Sequence, residues 1–235
     1  DQTRCRHCGL HRVADQLPGA VPLPATVLEN HDRSRVMDRV GGDERKARVL
    51  AMLLLTMRGV PTLYQGQEIG MRNTYLPLRG ALDPFGREVL PWMPEWISRR
   101  IPERINRDEV RTPMPWDGSA GAGFTTSAHP WLPLGPESGV RNVAVQEADA
   151  GSMLHLVRDL VRLRRDRPEL HSGSLRLLPA EGDVVAFARE HEGRALHVVL
   201  NMGPREALWP GSGDILRATG SVFMLTAIYA AMTIV

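Results

Sequence analysis

A strand, a helix and a strand joined by short breaks constrain this chain more than any other feature. Residues 21–28 are mostly apolar and β-tolerant (Val21, Leu23, Thr26, Val27, Leu28) and end at Glu29-Asn30-His31-Asp32. Gly41-Gly42 then breaks the chain, and Asp43 stands as an N-cap for a helix over residues 44–58. The middle of that helix (Val49, Leu50, Met52, Leu53, Leu54, Leu55) is apolar nearly all round, which predicts burial on most sides. Gly59 suits the C′ position, and Val60-Pro61-Thr62-Leu63-Tyr64 reads as a second buried strand. A strand–helix–strand unit with joints this short implies a parallel sheet. Both strands run into polar residues at their C-terminal ends, where parallel α/β folds bind ligands.

The pattern changes twice further on. Residues 65–150 hold most of the prolines and four of the five tryptophans, and no period is sustained there beyond a short helix expected over 96–105. A connection this long is functional or a subdomain in its own right. Ser152 is placed to cap a helix running to Arg167, with Met153, Leu156, Val157, Leu160 and Leu163 at helical spacing and Pro168 beyond its end. Val184, Ala186 and Ala188 then alternate with Val185 and Phe187, and residues 195–200 and 224–235 are further strands. About 60 C-terminal residues therefore read as a small antiparallel β domain.

Charge and cysteine usage narrow the partners. Lys+Arg total 29 against 27 Asp+Glu, a formal charge of +2, which gives no electrostatic case for nucleic acid or an anionic membrane. The most apolar stretch, 222–235, has 14 residues, short of the roughly 20 that span a bilayer, and reads as a terminal strand. Two cysteines in 235 residues make no disulfide framework, and residues 1–15 carry no apolar leader, so a reducing, cytoplasmic setting is expected. Cys5 and Cys8 with His7 and His11 are zinc-type ligands. His7 lies between the cysteines, however, and tetrahedral closure over seven residues is strained. A variable terminus is the better reading, and no metal or cofactor is expected.

Three segments carry chemistry. Asp32, His31, Arg35 and Arg39 place a carboxylate, an imidazole and two guanidinium groups at a strand end, a set that serves glycosyl, phosphoryl or acyl chemistry. The structural alternative is a loop in which Asp32 pairs with Arg35 or Arg39. In the second segment, Gly66 and Gly70 allow tight turns around Glu68, an acid/base or else a buried carboxylate satisfied by backbone N–H groups. The third runs from Asn106 to Asp117 and on through Phe124 and Trp131. Its aromatics interleave with Asp and Arg, which suits stacking on a pyranose, or anchoring of the loop by buried Trp and Pro.

These segments, in this order, resemble the C-terminal part of α-glucosidases of the α-amylase superfamily, and more narrowly oligo-1,6-glucosidase and trehalose-synthase relatives. The residues that carry the resemblance are Asn30-His31-Asp32 with Arg35 and Arg39, Gly59-Val-Pro-Thr-Leu-Tyr-Gln-Gly-Gln-Glu-Ile-Gly-Met71, Asn106-Arg107-Asp108 through Arg111-Thr-Pro-Met-Pro-Trp-Asp117, and Ala122-Gly-Phe124 with Pro130-Trp-Leu-Pro133. The resemblance implies an α/β plus all-β fold: the last two units of a (β/α)8 barrel followed by a small antiparallel β-sandwich. The corresponding divisions are a variable segment at 1–17, a partial barrel at 18–170 with the long loop 65–150, and the sandwich at 171–235. It also implies retaining glycoside hydrolysis on α-linked gluco-oligosaccharides, with Asp32 as transition-state stabiliser and His31, Arg35 and Arg39 as substrate-binding residues.

Three departures accompany the match: Gln67 where relatives often carry an acid, Glu29 where a small residue is usual, and a shortening around 210–221. A larger one is that no segment resembles the family's nucleophile or acid/base strands. The 235 residues alone are accordingly expected to be inactive. A non-catalytic carbohydrate-binding or interaction protein is the alternative.

Overall fold

A computed structural model of the protein describes residues 23–89, 92–98, 100, 106–210, 214–220 and 230–234. Cys5, His7, Cys8 and His11, most of the 222–235 stretch and the end of the helix expected over 96–105 lie outside the described residues. The described chain divides into two compact units, one of Asp1–Thr26, Arg48–Pro61 and Arg158–Val235, the other of Val27–Ala47 and Thr62–Val157.

Strand β1 (Ala25–Val27) pairs with β2 (Val60–Thr62) in a two-stranded sheet, with the Val60 N–H donating to the Pro24 carbonyl at 2.9 Å. Among the described residues no closed barrel is present. Between the strands, α1 spans Val36–Arg39 and α2 spans Glu44–Thr56. Asp43 caps α2 by accepting the Arg45 N–H at 3.0 Å. Ala47, Val49, Ala51, Met52, Leu54 and Leu55 of α2 are buried, as its apolar middle predicts. Gly59 serves a different purpose from a helix cap. Its φ is +141°, and a Cβ there would lie 2.8 Å from the Pro24 carbonyl oxygen, so the glycine is what lets β2 start against β1.

The C-terminal unit holds one antiparallel sheet of five strands: β3 (Ser174–Leu178), β4 (Val184–His191), β5 (Arg194–Asn201), β6 (Asp214–Ala218) and β7 (Ala230–Ile234), in the order β3-β4-β5-β7-β6. Glu192 and Gly193 join β4 to β5 with φ of 47° and 77°, the two positive values a two-residue type I′ hairpin needs. One face packs Val184, Ala186 and Val199 against Leu178, Ala207 and Trp209. Phe187, Leu196, Val198 and Leu200, of opposite parity in register, are also buried. β4 is thus covered on both faces, and a second sheet facing it is not among the described residues. Arg189 of β4 is fully buried and donates to the carbonyls of Thr56, Gly173 and Ser174, tying the sheet to the end of α2. Arg164, on the helix that follows Ser152, donates to the carbonyls of Leu55, Met57 and Gly59.

The other unit is rich in loops. It contains α3 (Glu95–Ser98) and α4 (Val143–Glu147), and the start of α5 (Met153–Asp166), which α6 (Pro168–His171) follows. Ser152 Oγ accepts the His155 N–H at 3.3 Å, the expected cap of α5. Ile69, Met71, Met114 and Leu154 form a local core with Val143 against it. Gln146 clasps that core, donating to the Ile69 carbonyl at 2.7 Å and accepting the Leu154 N–H at 3.0 Å.

Candidate active site

The loop after β1 carries the first segment. Asn30 Oδ1 accepts the Asp32 N–H at 2.9 Å, an Asx turn that fixes the backbone at Asp32. Asp32 Oδ1 then accepts from Arg107 Nη1 at 3.1 Å and Arg111 Nη2 at 3.0 Å, while His31 Nε2 lies 3.3 Å from Oδ2. Arg111 Nε also donates to the His31 carbonyl at 2.9 Å. Partial desolvation pushes the Asp32 carboxyl up. The charge of His31 and the bonds from Arg107 and Arg111 outweigh it and hold the group below the usual carboxylate range. Its side chain is 43% exposed and that of His31 65%, so both are open to a ligand.

The two arginines are themselves seated. They flank the 3-10 turn Arg107–Val110, which Asn106 caps by accepting the Asp108 N–H at 3.1 Å. Arg107 forks onto Asp83, with Nη2 and Nε donating to Oδ1 at 2.7 and 3.0 Å and the backbone N–H to Oδ2 at 3.1 Å. Those bonds push the Arg107 guanidinium further up, so it is a permanent cation. Asp108 Oδ2 in turn accepts the N–H groups of Leu82 and Asp83 at 2.7 and 3.0 Å. A relay of carboxylate and guanidinium groups thus runs from Asp108 through Asp83 and Arg107 to Asp32.

Arg35 and Arg39 sit apart from that cluster. Arg35 has no exposed surface. It donates to the carbonyls of Gln65 at 2.7 Å and Val110 at 2.9 Å, pairs with Glu29 at 3.3 Å, and lies over the Tyr64 ring at 5.0 Å. Glu29 Oε2 accepts the Val36 N–H. Burial pushes the Glu29 carboxyl up against the pull of Val36 and Arg35. Gly66, with φ of +84°, leaves room first for the Met71 side chain, whose Sδ a Cβ there would meet at 2.7 Å, and then for Arg35 Nη1 at 3.2 Å. Arg35 therefore braces the loop from behind and presents nothing to a ligand. Arg39 is exposed and donates to the Leu28 carbonyl. Glu68, half-buried on the 3-10 turn Gln67–Ile69, acts on the charge of Arg35.

The structure brings His31 Nε2 to Asp32, as the sequence reading paired them, and adds Arg107, Arg111 and Asp83, which that reading did not include. Asp83 sits in an aperiodic stretch with nothing local to mark it. The Arg-x-x-x-Arg spacing of Arg107 and Arg111 was the available signal. The tryptophans are not loop anchors: Trp92, Trp96, Trp116 and Trp131 are all exposed, Trp131 by 82%. Val110, Met114 and Leu132 are buried in that role instead. Among the described residues no group of three or more His, Cys, Asp or Glu is placed to hold a metal ion.

Chemically, the cluster offers an ionised carboxylate, an imidazole and two guanidinium groups on one open surface. Such a set binds adjacent hydroxyls. The second acid close by, Asp83, is buried and occupied by Arg107, so it is not available as a nucleophile.

The chain is similar in sequence and fold to known proteins. The family model described as alpha amylase, catalytic domain, matches residues 6–173. The glucan 1,6-alpha-glucosidase of Streptococcus dysgalactiae subsp. equisimilis is 33% identical over 192 residues, covering 77% of this chain and 35% of that protein. A probable alpha-glucosidase of Rhizobium meliloti (strain 1021) is 34% identical, covering 77% of this chain and 31% of its own length. Among solved structures, a mutant isomaltulose synthase from Erwinia rhapontici NX5 in complex with D-glucose aligns with a TM-score of 0.81 at 25% identity, over 99% of this chain and 47% of that one. The trehalulose synthase of Pseudomonas mesoacidophila MX-45 aligns with a TM-score of 0.77 at 28% identity, over 94% of this chain and 44% of that one. The chain thus spans about a third of the length of these curated relatives and somewhat under half of the solved chains.

Proposed function

Because the chain belongs to the alpha-amylase family and has a partial (β/α)8 fold, we propose that it supplies the sugar-holding side of an α-glucosidase-type glycoside hydrolase site. The observation that carries this is the Asp32 carboxylate, ionised, exposed and oriented by Arg107, Arg111 and His31. In this reading Asp32 accepts hydroxyl protons from one glucosyl unit, and these bonds strengthen as positive charge develops on the ring in an oxocarbenium-like state. His31 donates to a neighbouring hydroxyl. Arg107 and Arg111 keep Asp32 ionised and fix its direction. Arg35 is a positioning residue that acts through the loop, and Arg39 holds the strand end.

Retaining hydrolysis needs two further carboxyl groups about 5 Å apart on either side of the glycosidic bond. Asp32 is not placed to be either of them. In this reading that pair is contributed by groups other than Asp32 and Asp83, the first engaged in holding hydroxyls and the second buried against Arg107. The substrate class is α-linked gluco-oligosaccharide, in keeping with the 1,6-glucosidase named among the relatives.

Saturation-transfer NMR with D-glucose tests the binding role. The protein gives transfer to glucose at neutral pH and Asp32→Asn does not. Because the carboxyl titrates below its ordinary value of 3.8, transfer survives on acidification to that pH and is lost only below it. Equal transfer to the wild type and to Asp32→Asn contradicts the assignment.

A further inference from the structure

The relay that orients Asp32 also places an aromatic ring beside it. Asp83-Pro84-Phe85-Gly86 is pinned at both ends. Asp83 is buried in its bonds to Arg107, and Gly86 is buried so closely that a Cβ would lie 3.3 Å from the Leu78 side chain and 3.5 Å from the Asn106 Cα. Between these two anchors Phe85 is 47% exposed, and its ring lies 5.9 Å from the Arg107 guanidinium carbon. Arg107 is the group that reaches Asp32. An apolar ring is thus left half exposed between two buried anchors, with the Arg107 guanidinium over it, one side chain away from the carboxylate.

Resting on the reading above, we propose that Phe85 is a specificity-determining residue, the stacking face for the hexose next to the one gripped by Asp32. The aromatic face carries negative charge density and meets the C–H face of a pyranose, whose carbons are weakly positive. Arg107 stands at the junction of the two units, able to donate to a hydroxyl of either. The ligand class is therefore an α-linked gluco-oligosaccharide of at least two units, favoured over glucose itself. The exposed ring is desolvated only when a second unit is present, so its contribution appears in the disaccharide and not in the monosaccharide.

Titrations of the 235-residue protein with glucose, isomaltose and maltose, followed by saturation-transfer NMR, test this. The wild type prefers one or both disaccharides over glucose by about fivefold, the size that a single ring contact contributes. Phe85→Ala brings that ratio close to one, and Phe85→Trp, which keeps a ring, retains the preference. If Phe85→Ala weakens glucose and disaccharide alike, or leaves the ratio unchanged, Phe85 is structural and the proposal is overturned while the Asp32 reading stands. If the wild type binds none of the three sugars, both fall together.

Discussion

Glu29 is a buried carboxylate at a strand end, and its environment shows what holds it there. It is 2% exposed, pairs with a guanidinium that has no exposed surface, and accepts the first N–H of α1. A buried charge of either sign survives only with its partner and its hydrogen bonds in place. Glu29→Ala therefore strands Arg35 and should lower stability by about 3–5 kcal/mol, whereas Glu29→Leu combined with Arg35→Met should lose much less. Thermal or denaturant unfolding of the two variants checks this, and a cost below about 1 kcal/mol for the single change contradicts the pairing. At this scale the sequence showed which residues gather at the strand end but not which of them face a ligand. Asp32 and Arg35 look alike as charged loop residues. What separates them is that Arg35 meets carbonyls contributed by Gln65 and Val110, and Asp32 meets arginines contributed by residues 107 and 111.

Elements with a period were legible, and those without one were not. The apolar middle of α2 and the spaced stripe of α5 both emerge as helices with buried faces, each with the expected cap. The stretch 65–150 defeats the same reasoning because its order comes from single side chains bonding distant backbone: Asp108 to Leu82 and Asp83, Glu109 to Leu76, Gln146 to Ile69. Such bonds leave no repeat in the sequence. Gly59 shows a right residue expected for the wrong reason. Its position after α2 suggests a helix cap, but its constraint is the approach of Pro24 at a φ that side-chain-bearing residues avoid. Gly59→Ala should therefore cost about 2 kcal/mol or more, combining backbone strain with a displaced β1–β2 contact. Chemical denaturation of the variant measures it. A neutral result would mean the two strands do not need that approach.

At the scale of the whole molecule, the chain combines a strand pair with its helices, a five-stranded antiparallel sheet and a long loop that converges on Asp32. It belongs to the alpha-amylase family. In the proposed function, Asp32 and its partners grip and orient a glucosyl unit, and other groups break the bond. The most direct test is turnover of p-nitrophenyl α-glucoside by the purified 235-residue protein. The expected result is no release of p-nitrophenol above background, because Asp32 is proposed to hold hydroxyls and, among the described residues, the other acid of the cluster, Asp83, is buried against Arg107. Sustained release that disappears in Asp32→Asn would contradict it, since these residues would then contain a complete catalytic set.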